Sequence, residues 1–76
     1  SVFDNWCNQI ADLLRQGQQE GSVKQDVDSL KMARFLVSSF QGIQCNSKCT
    51  KDLQRYHDNV AFLREIIHDL EVEKVA

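Results

Sequence analysis

No proline occurs anywhere in the 76 residues, and there are only three glycines, Gly17, Gly21 and Gly42. Proline stops a helix outright, because it lacks the amide proton and collides with the preceding turn. A chain without it can form long helices, and the apolar spacing is helical almost throughout. Phe3, Trp6, Ile10 and Leu13 recur at steps of three and four, with Val2, Cys7 and Leu14 widening the stripe. That period belongs to an α-helix. A sandwich of short strands would need many tight turns, which so little Gly and no Pro cannot supply. At 42% apolar the chain is also too hydrophobic to remain disordered.

The expected fold is one all-α domain of three helices, at about 2–20, 28–47 and 52–70. The first ends at Gly21, which suits a left-handed C-cap. The polar stretch from Gly21 to Asp28 then connects to the second helix. Asp28, ahead of Asp26, is the natural N-cap, since its carboxylate can accept from free amides of the first turn. Leu30, Ala33, Leu36, Val37, Phe40 and Ile43 form one broad face of the second helix, which fades through residues 45–49. Thr50 is expected to cap the third helix, with Asp52 near its positive end. Leu53, Tyr56, Val60, Leu63, Ile67 and Leu70 give that helix a 3-4-3-4-3 spacing. Glu71 to Ala76 reads as a frayed acidic end.

A domain this small hides only about 60% of its unfolded surface, so its core barely offsets chain entropy. The helices show where cover is lacking. The first has one apolar stripe, which one packing surface satisfies. The second has another side, made of Phe35, Ser38, Ser39, Gly42, Cys45, Asn46 and Cys49. Apart from Phe35 these side chains are small or short, and such residues let a neighbouring helix come close. The third adds a shoulder of Phe62 and Ile66, flanked by Arg55 and Asn59. Three helices cannot bury two faces on two of themselves. Another part of the chain or a second copy must cover the remainder. The plain alternative is that Phe35, Phe62 and Ile66 are scattered surface apolars, which are common.

The net charge of −2 and pI near 5.5 argue against a nucleic-acid surface, which needs a basic face. No stretch approaches the roughly 20 apolar residues of a membrane span, and no basic-then-apolar leader is visible. Three cysteines, Cys7, Cys45 and Cys49, make an odd and sparse set. That composition suggests free thiols in a reducing cytoplasm. A start at Ser1 reads as a fragment of a longer protein.

Little in the sequence suggests chemistry. Cys45 and Cys49 share a helix face at i and i+4. Even with His57 or His68 they lack the number and spacing of ligands that zinc needs, and a disulfide between them within one helix would be strained. No nucleophile–base pair, glycine-rich phosphate loop or paired carboxylates in an apolar setting is present. Asp26 and Asp28 serve as caps. No catalytic residue, metal or cofactor is therefore expected, and the chain does not read as an enzyme.

The run Ala11-Asp12-Leu13-Leu14-Arg15-Gln16-Gly17-Gln18-Gln19-Glu20-Gly21 leads into Ser22-Val23-Lys24-Gln25-Asp26-Val27-Asp28. Ala33-Arg34-Phe35-Leu36-Val37-Ser38-Ser39-Phe40-Gln41-Gly42 follows. This resembles the C-terminal half of TetR-family transcriptional regulators. In that family a helix ending in a Gln/Glu-Gly step precedes an Asp-x-Asp elbow, and the next helix carries Ala-x-x, an apolar run and a Gly. The likeness extends from about Phe3 to Leu70.

The resemblance implies a cytoplasmic all-helical homodimer that senses a small-molecule effector and regulates transcription, as a repressor in the first instance. A helix-turn-helix DNA-binding domain and the first ligand-domain helices would precede Ser1, so no residue here would touch DNA. The last two helices would pack against the partner's pair as a four-helix seam. Phe35, Ser38, Ser39, Gly42, Cys45, Asn46, Cys49, Asn59, Phe62 and Ile66 would line it. Leu30, Ala33, Val37, Phe40, Val60, Leu63 and Ile67 would face the subunit's own core. Trp6, Ile10 and Phe40 would border the effector pocket, with plain core packing as the alternative for Trp6. Two further readings stand beside this one. The first is a stand-alone helical adaptor that docks a partner's helix, and the second is a thiol or metal sensor.

Overall fold

In a computed structural model, residues 1–72 are described. They form three helices, α1 (Val2–Glu20), α2 (Ser29–Thr50) and α3 (Leu53–His68). The all-α expectation holds, and α1 has the expected bounds. Ser1 caps it, its hydroxyl accepting from the Asp4 amide at 3.2 Å. Asp28 caps α2 as expected, accepting from the Lys31 amide at 3.0 Å.

The end of α2 differs from expectation. The polar run Asn46-Ser47-Lys48-Cys49-Thr50 contains neither Gly nor Pro, so nothing in it stops the helix. Thr50 is the last helical residue, and its hydroxyl donates to the Asn46 carbonyl at 2.8 Å. The stop comes at Lys51, left-handed at φ 53°. The cap of α3 is Asp52, which accepts from the Arg55 amide at 3.1 Å, and not Thr50.

The connection from α1 to α2 is held by a polar clasp. Gly21 takes the left-handed C-cap at φ 83°. The amides of Ser22 and Val23 both donate to the Gly17 carbonyl, at 2.9 and 3.1 Å. The Gln18 carboxamide donates to the carbonyls of Lys24 (3.0 Å) and Val27 (2.8 Å), and that of Gln25 donates back to the Gln18 carbonyl. Gly17 is buried, and a Cβ built on it would overlap the Val23 side chain. Glycine is needed there for close approach, not for its backbone freedom.

The same connection holds the exit of α3. The Lys24 amide donates to the Leu70 carbonyl and the Val72 amide to the Ser22 carbonyl, both at 2.9 Å. Val23 and Glu71 form an isolated antiparallel bridge. Glu71 and Val72 are therefore paired rather than frayed; the rest of the expected acidic end, 73–76, lies outside the described residues.

The middle helix, α2, packs against α1 and α3. Leu36, Leu63 and Leu70 form the buried cluster, with Ile10, Leu14, Val23, Val27, Met32, Ile43 and Ile66 packed around it. The other buried hydrophobics are small: Cys7 and Ala11 on α1, Ala33 and Val37 on α2. The result is a slab of 40 × 36 × 13 Å. Its thin dimension is about one helix diameter with side chains, roughly 10–12 Å. Domains normally close a core between two layers; this one has a single layer. Its radius of gyration is 14.1 Å, against about 11 Å for a compact chain of this length. It exposes 5926 Å², where a compact monomer of 8.8 kDa exposes about 4,800 Å².

Candidate functional site

A single layer has two broad sides, and this one is apolar on both. Helices joined by short connections run in opposite directions, and helical phase then sorts the exposed apolar residues. Phe35 on α2 and Phe62 on α3, 51% and 63% exposed, fall on one side. Between them α2 offers Gly42, where an added Cβ would meet nothing within 4 Å. Ser38, Cys45, Asn46 and Cys49 are exposed beside it, while Ser39 and Asn59 are half-buried.

On the other side lie Val2, Trp6 and Leu13 of α1, Phe40 of α2, and Leu53 and Ile67 of α3, all exposed. This changes the expectation for α1. Its inward line runs through Phe3, Cys7, Ala11 and Leu14, so one edge of the apolar stripe stays open. Trp6 is not packed in the core of this chain, being 45% exposed, whereas Ile10 packs on the leucine cluster. Phe40, expected both in the core and at the pocket, is 39% exposed.

Two isoleucines exchange places. Ile66 packs on the leucine cluster and Ile67 is 44% exposed. The inward line of α3 runs through Asn59, Leu63 and Ile66, with Leu70 just beyond its end, a rotation of less than one residue from the expected one. Just beyond the helix, the Leu70 carbonyl accepts from the Lys24 amide at 2.9 Å, a contact between distant parts of the chain. Ile66 therefore belongs to the subunit's own core.

The remaining polar groups are solvated. Ion pairs join Arg15 to Asp12 (3.0 Å), Arg55 to Asp52 (4.0 Å) and His68 to Glu71 (3.5 Å), all between exposed side chains. Such pairs add little stability. Among the described residues no charged or polar side chain is buried, and no three His, Cys, Asp or Glu residues gather where a metal ion could sit. Cys7 is buried, and Cys45 and Cys49 are exposed. A shallow depression lined by Ala61, Arg64, Glu65, His68 and Asp69 lies on the outer face of α3, away from Trp6, Ile10 and Phe40. No helix of the described residues is long and apolar enough to cross a membrane.

Residues 1–63, covering α1, α2 and the first two-thirds of α3, match the family described as the tetracyclin repressor-like C-terminal domain. The chain belongs to that family. No curated protein and no solved structure matches it significantly. Membership agrees with the resemblance carried by the stretch from Gly21 to Gly42, and with the three-helix order. The clasp made by Gly17, Gln18 and Val23 is not visible in the apolar spacing. The only signal for it was a glycine inside a helical pattern, which commonly marks a close packing contact.

Proposed function

We propose that this chain is the dimerisation and effector-sensing portion of a TetR-like transcriptional regulator. The observation that carries the reading is the single layer with two apolar sides. A free-standing domain has no reason to leave Phe35, Phe62, Trp6 and Phe40 in water together.

The side with Phe35, Ser38, Ser39, Gly42, Asn46, Asn59 and Phe62 suits a second copy. Its two aromatics flank small residues, so helices from the partner can approach closely and each phenyl ring has somewhere to insert. Cys45 and Cys49 continue that side toward the C-terminal end of α2. The side with Trp6 and Phe40 suits helices that precede Ser1. Between them and this layer an effector pocket forms, bordered by Trp6 and Phe40 and floored by Ile10. Operator binding resides in a helix-turn-helix domain further upstream, and the protein works in the cytoplasm as a repressor. An effector that binds one relative placement of the two DNA-binding domains more tightly shifts the population toward it, and operator affinity changes with it.

Two experiments test this reading. Reading the coding sequence upstream of Ser1 is expected to reveal a helix-turn-helix; an initiator codon close to Ser1 would support a stand-alone adaptor instead. The paired change Phe35→Glu and Phe62→Glu is expected to give a folded monomer, and an unchanged dimer would remove the seam from this side.

A further inference from the structure

We infer that Cys45 and Cys49 form a dithiol site for a soft, thiophilic centre that is satisfied by two sulfurs, of which a trivalent arsenical is the type. The decisive feature is where α2 ends. The helix continues to Thr50, with Thr50 bonded back to Asn46, so both cysteines lie on continuous helix one turn apart. Both are exposed and both are free thiols.

At this spacing the two Cβ atoms are about 5–6 Å apart, whereas a disulfide needs about 3.8 Å. The pair cannot close on itself while the helix persists. A bridging atom removes that obstacle. At a pyramidal trivalent centre, two bonds of about 2.3 Å hold the sulfurs about 3.5 Å apart, which rotation about the two Cα–Cβ bonds can reach. Among the described residues no third ligand joins the pair. That disfavours zinc, which takes four ligands, and favours a soft centre content with two thiolates. Both thiols belong to α2 alone but lie on the side proposed for a second copy, so the site is read at a dilution where the single chain dominates.

Phenylarsine oxide is a direct probe. Each thiol gives up its proton, two As–S bonds form where the As=O bond was, and one water leaves. Arsenic stays trivalent, so no oxidant is needed. Intact mass and free-thiol titration of the whole chain should show one arsenical per chain and two thiols consumed. Cys45→Ser and Cys49→Ser replace exposed residues and leave the fold intact. Each should bind the probe about 100-fold more weakly, because the second bond is no longer intramolecular, and each should lose it to millimolar glutathione. The wild type should release it only to a dithiol, and Cys7→Ser should behave like the wild type. Three results would overturn the assignment: retention of the probe by either serine variant under glutathione, loss of it by the wild type under glutathione, or an adduct that joins two chains.

Discussion

Replacing Gly42 separates the stability of the subunit from that of the proposed seam, because the two should move in opposite directions. Gly42 lies inside α2, where glycine costs about 1 kcal/mol relative to alanine. A Cβ there meets nothing within 4 Å in the single chain. Gly42→Ala should therefore stabilise the isolated subunit by about 1 kcal/mol, raising Tm by about 4–8 °C for a domain of this size. Gly42→Leu should stabilise it by a similar amount, since leucine is also a strong helix former. In a close-packed seam the added side chain has to displace a neighbour, at about 1–3 kcal/mol per copy. Both copies carry the change, so dimerisation loses about 2–6 kcal/mol, or about 30-fold to 20,000-fold in Kd. Thermal unfolding at a dilution where the monomer dominates reads the first effect, and a sedimentation series reads the second. Gly42→Leu that dimerises as tightly as the wild type would refute a seam at Gly42. A Gly42→Ala variant less stable than the wild type at high dilution would refute the open surroundings assigned to this position.

Gly17→Ala should destabilise the chain despite the better helix former, because Val23 is β-branched and cannot rotate away cheaply. Adding Val23→Ala should recover part of the loss in a double-mutant cycle of denaturant midpoints. Lys51→Gly should stabilise by about 1 kcal/mol, since a left-handed residue with a Cβ is strained at φ 53°; no gain in midpoint would argue against that helix stop. Asp28→Ala should cost about 1 kcal/mol through loss of the α2 cap, visible as a lower urea midpoint at unchanged m-value.

The helices were legible because their determinants are local. Gly21, Asp28 and the three-four apolar spacing each act within a turn or two. The polar run 46–50 suggests a fading end and Thr50 a cap, yet only the left-handed Lys51 stops the helix, which leaves Thr50 as its last residue. The faces were harder to read. Ile66 and Ile67 are adjacent and equally apolar, so their spacing alone does not say which one packs on the leucine cluster. The exposure of Trp6 and Leu13 could not be read from a stripe either, because periodicity shows that a face is apolar and not whether anything covers it. The second side of α2 was legible because its apolar and small residues are sorted around the helix.

A single layer with an aromatic and small-residue side is best completed as half of a two-fold assembly. Equilibrium sedimentation of the 76-residue chain across micromolar concentrations tests it most directly. A two-fold assembly gives a species of twice 8.8 kDa that dissociates on dilution. A single monomeric species of 8.8 kDa throughout that range would contradict it.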